Sequence, residues 1–289
     1  MKKKILVTLD QTEISKELAR IADAWAQRID AELHFLHVGR SDVEDELQQN
    51  RLFNESLASM DIAAEYVCKY RIGTAYREIL EQEKITQPEL IIMGAHQHTR
   101  LGRLFLGSNT KYVLHHCESP VYIHKQQKLF FENKIVVPID YSDVNKPVVR
   151  LADEWAQRTG AELYFIRVDE SQQSSNDPIG MVKESGAEAE RSVDAFKDEE
   201  EKTRKGVEQK EAKLQQYIAS QNVQAPHQTV QKFGEPYLRI LGLQEYINAG
   251  LIMMAAHSHT MLHRMIAGSN TDYLMHHATC PMYVYKAKE

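Results

Sequence analysis

The sequence predicts two α/β domains in tandem, each a doubly wound parallel sheet of about five strands, and three observations carry that expectation. A long internal repeat divides the chain. Within each copy, short β-branched runs alternate with amphipathic helical patterns, and the strand segments are apolar almost throughout. Residues 4–38 reappear at 134–168, which sets Asp10 on Asp140, Trp25 on Trp155, Arg28 on Arg158, Glu32 on Glu162 and Val38 on Val168, an offset of 130. Residues 93–125 match 254–286 at an offset of 161, so the second copy holds 31 extra residues between Val168 and Gly234. The expected domains are 1–127 and 132–289, with a polar and aromatic connector near Gln126 to Asn133. A charged helical insertion is expected at about 169–220.

In the first copy the strands are expected near 4–10, 31–38, 62–70, 89–94 and 120–125. The helix after the capping residue Thr12 sets Ile14, Leu18, Ile21, Ala22 and Trp25 on one face. Runs such as ILVTL and LIIM are apolar on both alternating faces, as a parallel sheet covered by helices on both sides requires. Right-handed crossovers then give a Rossmann-like sheet. Trp25 and Trp155 are expected in the core, with no functional role. The closing strands, PVYIH and PMYVY, fall at open sheet edges that need cover. Two fused copies are expected to pair those edges about a pseudo-twofold axis as an intramolecular pseudo-dimer, and further dimerisation of whole chains stays open. The insertion reads as a polar loop, then a charge-dense stretch from Glu188 to Ser220. Val193, Phe196, Val207, Leu214 and Ile218 form a thin apolar stripe there, and Gly206 weakens the helix.

Composition narrows the function classes. Hydrophobic residues at 43% and charged residues at 26% are those of a globular protein. No stretch reaches the roughly 20 apolar residues of a membrane span, so no membrane partner is expected. The basic start, Met1 to Lys4, leads into a strand too short for a secretion signal, and the cytoplasm is the expected location. Cys68, Cys117 and Cys280 lack metal or disulfide spacing and read as reduced thiols. A net charge of −6 argues against a nucleic-acid partner, while leaving room for small anions held locally and for protein partners.

In an open α/β sheet a ligand sits beyond the carboxyl ends of the strands, where strand order reverses. Asp10, Val38 and Gly94 end the first, second and fourth strands there. Gly107, Ser108 and Asn109 open the last helix, where backbone N–H groups suit a phosphate, although the same three residues also make a plain cap. The second copy repeats the layout with Asp140, Val168, Gly268, Ser269 and Asn270. His96 and His98 match His257 and His259, and His115-His116 matches His276-His277. Two ligands in a loop do not complete a tetrahedron, so no metal is expected. The helix pairs are expected to hold one buried and one exposed histidine each. No GxSxG, Walker or HExxH pattern occurs, and no obvious lysine or arginine clamp is read beyond Arg103, so catalysis is not expected beyond weak ATP hydrolysis.

On the first-strand aspartate, the loop GAHQHTRLGRLFLGSN and the closing SPVYI, the chain resembles the universal stress protein family, and its tandem layout is similar to the two-domain E-type members. ATP-binding members carry a glycine, two residues, a second glycine, nine residues, then glycine followed by serine or threonine. Here Gly94, Gln97, Gly107 and Ser108 occupy those places, with Gln97 in place of the second glycine. In the second copy Ala255 and Ser258 replace both early glycines. The resemblance implies ATP or another adenine nucleotide, with Asp10 and Val38 at the adenine end and Gly107, Ser108 and Asn109 at the phosphates. The implied role is a stress-response sensor or adaptor. The alternatives are a module or scaffold binding a lipid or other apolar ligand, and a slow ATP hydrolase.

Overall fold

Parallel neighbours need crossovers of a dozen or more residues, and the helical segments between the apolar runs supply them. The computed structural model describes residues 2–10, 13–39, 46–95, 107–125, 132–169, 206–256 and 269–286. The first half runs β1 (Lys3–Leu9), α1 (Glu13–Ile29), β2 (Ala31–Gly39), α2 (Glu46–Ala58), β3 (Tyr66–Ile72), α3 (Ala75–Thr86), β4 (Leu90–Gly94), α4 (Ser108–His116) and β5 (Val121–His124). The second runs β6 (Glu132–Pro138), α5 (Asn145–Thr159), β7 (Glu162–Asp169), a helix α6 described over 206–220, then β8 (His227–Phe233), α7 (Pro236–Tyr246), β9 (Ala249–Ala256), α8 (Ser269–His277) and β10 (Met282–Lys286).

Ten strands form one sheet in the order β3-β2-β1-β4-β5-β10-β9-β6-β7-β8. Each half contributes five parallel strands, and the halves meet through the antiparallel pair β5–β10. Alternation along the strands divides the core between two faces. Ile5, Val7, Leu33 and Phe35 pack with α1 and α2, while Leu6, Leu36, Ile91 and Met93 pack with α3 and α4.

On α1, Leu18, Ala22 and Trp25 are buried, and Ile14 and Ile21 are partly so; Thr12 lies outside the described residues. The same helix tethers the entry to β3: Asp23 Oδ1 accepts the Ala64 N–H at 2.8 Å. Ala64 is thus held by α1, and the ladder with β2 starts at Tyr66 rather than near 62, with the Glu65 carbonyl accepting the Leu33 N–H at 2.9 Å. Asp153 does the same for Gln224 and Ala225, at 2.9 and 2.8 Å.

Helix α6 is the counterpart of α2, since an offset of 161 carries Phe53 to Leu214 and Leu57 to Ile218. All four are buried. The stripe read in the sequence as thin and mostly solvated is therefore core at these two positions. The extra residues of the second copy fall within 170–205, outside the described residues, as do Val193 and Phe196.

At the β5–β10 seam Tyr122 faces Tyr283, Val121 faces Val284 and Ile123 faces Met282. Tyr122 and Tyr283 are equivalent in the two copies, so a local twofold axis passes between them. Equivalent side chains meet on both faces. Trp25 stacks on Trp155 with ring centroids 4.6 Å apart, and Arg28 lies over both rings at 5.4 and 5.1 Å. Trp155 is only half-buried, so it packs between the halves rather than beneath its own sheet. On the other face Lys111 pairs with Asp272 at 2.8 Å.

Two buried lysines lock the seam. Lys125 Nζ donates to the carbonyls of Met275 and Ala278 at 2.7 and 2.6 Å. Its counterpart Lys286 donates to those of Leu114 and Cys117, the latter at 2.8 Å. Each satisfies orphan carbonyls at the end of the other half's closing helix, where a cation is also favoured by the helix dipole.

Candidate functional site

β1 lies between β2 and β4 because the chain first winds outward to β3 and then returns to the other side of β1. The crossovers therefore diverge at β1 and β4, and a cleft opens beyond their carboxyl ends. It has a volume of about 170 Å³ and draws its lining from six elements or their ends, Ile14 and Leu18 of α1 among them. Asp10 and Thr8 come from β1, Val38 from β2, Gly94 from β4, Ala75 and Ile79 from α3, and Asn109 and Thr110 from α4. The expected residues Asp10, Val38, Gly94 and Asn109 are thus brought together. The sequence reading missed Ala75 and Ile79, whose position in the opening turns of α3, after β3, was the available signal.

Asp10 is half-buried and oriented: Ser15 Oγ donates to its Oδ1 at 3.0 Å and accepts the Asp10 N–H at 3.3 Å. Gly94 has a steric reason. A Cβ there would stand 3.3 Å from Leu18 Cδ1, tight against α1. Its carbonyl accepts from Thr110 Oγ1 at 3.3 Å, tying β4 to the first turn of α4. Gly107 caps α4 in an extended conformation (φ −60, ψ 145) without a side-chain cap bond, and exposed Ser108 opens the helix. The backbone donors of that first turn are what such a site offers an anion. Gly107 and Ser108 stand beside the cleft lining rather than in it. Gln97, with His96, His98 and Arg103, lies outside the described residues.

The second copy differs at the same points. Pro138 replaces Thr8, Ala255 replaces Gly94 and Pro236 replaces Ala75. Asp140 is exposed and closes the turn before α5, accepting from Ser142 N–H at 2.9 Å and from Asn145 Nδ2. Tyr141 follows in the left-handed region (φ 66) and packs edge-on against Tyr217 of α6 at 5.2 Å. Val168 is buried, and Asn270 is half-buried. Gly268 and the Ser269 side chain lie outside the described residues, as do His257, Ser258 and His259.

Of the helix histidines, His115 is half-buried, 3.3 Å from Asp272, and His116 is exposed and stacked on Tyr112 at 3.9 Å. His276 is half-buried, with its pKa lowered chiefly by burial, and His277 stacks on Tyr273 at 4.0 Å. Among the described residues no group of three or more His, Cys, Asp or Glu side chains is placed to hold a metal ion. No described helix is long and apolar enough to cross a membrane.

A profile of the universal stress protein family matches residues 1–125 and again 132–286. A universal stress protein structure from Archaeoglobus fulgidus DSM 4304 is 21% identical, covering 98% of each chain with a TM-score of 0.63. A putative universal stress protein from Pseudomonas aeruginosa UCBPP-PA14 is 14% identical, covering 99% of this chain and 93% of that one, with a TM-score of 0.70. A search of curated protein sequences finds no match.

Proposed function

Because this chain belongs to the universal stress protein family, in a tandem two-domain form, we propose that its first domain binds ATP or another adenine nucleotide and that the protein acts as a ligand-binding sensor or adaptor in the stress response. The observation that carries this reading is the cleft at the strand reversal. It joins an aliphatic wall of Leu36, Val38 and Ile79, suited to a flat base, with the oriented Asp10 and with Asn109 at the start of α4. Asp10 is the one ionisable side chain among its described lining residues, which favours holding a ligand over turning one over. Gly107 and Ser108 would meet the phosphates, with Gln97 completing the path in place of a glycine. We assign Asp140, Val168, Gly268, Ser269 and Asn270 to a lapsed second site, because Asp140 is engaged by Ser142 and Asn145 in the turn before α5 and Ala255 stands where Gly94 stands in the first. We place the protein in the cytoplasm, in keeping with its three free thiols.

The test is mass spectrometry of small molecules released from the purified protein, followed by calorimetric titration with ATP, ADP and AMP. One adenine nucleotide per chain, with weaker binding in Asp10→Ala, is expected. A fatty acid or phospholipid released instead would favour the apolar-ligand alternative, to which the cleft's aliphatic wall is also suited. ATP hydrolysis that disappears in Asp10→Ala would favour the hydrolase.

A further inference from the structure

A second cleft, of about 290 Å³, lies at the opposite end of the first domain, between the amino ends of the strands and the last turns of α3. Its walls carry Lys4 from β1, His34 from β2, Lys69 from β3, and Gln82 and Thr86 from α3. Lys4, His34 and Lys69 share the sheet face of Leu6 and Leu36 on three adjacent strands. Lys69 Nζ donates to Gln82 Oε1 at 3.2 Å, and Lys4 makes no ion pair among the described residues. His34 Nε2 stands 3.0 Å from Glu32 Oε1, yet out of line for a hydrogen bond. Burial lowers the His34 pKa, and the charges of Lys4 and Lys69 pull the same way against Glu32.

The internal repeat supplies the control. In the second copy Tyr164 stands for His34, Val230 for Lys69, Leu243 for Gln82 and Ile247 for Thr86. Tyr164, Leu243 and Ile247 are at most 8% exposed there, and with Val230 they belong to one apolar cluster. Lys134 and Glu162 keep the places of Lys4 and Glu32, and the Tyr164 hydroxyl donates to Glu162 at 2.8 Å and accepts from Gln228 at 3.3 Å. The fold therefore does not need the polar groups of Lys69, Gln82 and Thr86. In the first copy Gln82 and Thr86 are buried all the same, beside two half-buried ammonium groups. A polar set kept where an apolar one packs costs stability, and such local departures cluster at sites of function.

We propose that this cleft binds a small oxyanion, a carboxylate or phosphate group, with Lys4 and Lys69 supplying charge and His34 and Gln82 fixing its orientation. Two ammonium groups against the single carboxylate of Glu32 leave the cleft net positive. Val67 and Ile85 at the rim, both largely exposed, would meet the apolar part of a ligand.

The experiment uses the full chain, with inorganic phosphate and malonate as separate probes, followed by calorimetry and by amide chemical shifts of residues 66–69 and 82–86. The test variant carries the second copy's residues: Lys69→Val, Gln82→Leu and Thr86→Ile. One probe saturating at one site per chain, and binding roughly tenfold or more weakly to the variant, is the expected result. The variant should also melt at higher temperature, and its binding of ATP should be unchanged, which keeps this site's test separate from that of the nucleotide cleft. If the triple variant does not fold, Lys69→Met alone is expected to weaken the probe. Neither probe shifting these amides at 20 mM, or equal binding by a folded variant, would overturn the proposal.

Discussion

Lys111 and Asp272 are the same position of the repeat, carry opposite charges, and are bonded to each other at 2.8 Å across the local axis. In a dimer of identical domains that position would face itself as a like-charged pair. Fusion has let the two copies diverge into complementarity.

Asp272→Lys should therefore cost about 1 kcal/mol, a modest figure because both groups are partly exposed and screened. Exchanging the charges with Lys111→Asp should recover most of it, read from urea midpoints in a double-mutant cycle. Burial opposes ionisation of Asp272, but hydrogen bonds from Lys111 and His115 outweigh it and hold the carboxyl below its usual 3.8. Its contribution is thus present above that usual value and is lost as pH falls through the lowered one. Asp272→Asn should flatten that acid limb; a limb of unchanged steepness would contradict the assignment.

Burial brings the Lys125 amine down from 10.5 to about 8, with a smaller opposing pull from Cys280. Between those values the native amine has lost its proton while the unfolded chain keeps it, so stability due to Lys125 rises with pH across the window. Denaturation of wild type and Lys125→Met at pH 7.5, 9 and 10.5 should show their difference widening in favour of the wild type. A constant difference would mean that the ammonium keeps its charge in place.

Cys117 and Cys280 are buried, and burial pushes both thiols up to about 12. Cys68 is half-exposed, with its pKa raised by burial. An aromatic disulfide reagent should titrate one thiol slowly in the native protein and all three in denaturant. Fast reaction of more than one native thiol would show that the seam opens readily.

A Cβ on Gly39 would fall 1.8 Å from Tyr70 Oη, and Tyr70 is 2% exposed, so neither can give way. Gly39→Ala should cost about 1–3 kcal/mol. The second copy pairs Asp169 with Gln231 at these positions, 3.2 Å apart. Thermal melts of Gly39→Asp should therefore improve when Tyr70→Gln is added, and additive losses would refute the coupling.

Repetition made the strands, their parallel order and the residues gathered around β1 legible in the sequence, because offsets and alternation are local properties of a chain. Contacts across the axis were not, since periodicity says nothing about which side chains of two separate helices will face each other. Trp25 and Trp155 could be read as apolar and large, but not as each other's partners. Nothing in the sequence marks Lys125 and Lys286 as buried, and only the carbonyls of the opposite helix explain their burial. The start of β3 was misjudged because Asp23 holds Ala64, in a stretch of strand-like composition, just ahead of the ladder with β2.

Pairing between β5 and β10 also has a consequence in time. At ~5–20 residues per second, the stretch of chain between His124 and Met282 takes on the order of 10–30 s to synthesise. Throughout that delay the first half shows solvent an apolar edge and a helix end whose carbonyls await Lys286. On a polysome the neighbouring nascent chain offers the same edge, which is the natural wrong partner. Two such halves meeting in the native manner would bring Lys111 against Lys111, so the charge that welcomes the sister domain also turns away an identical one.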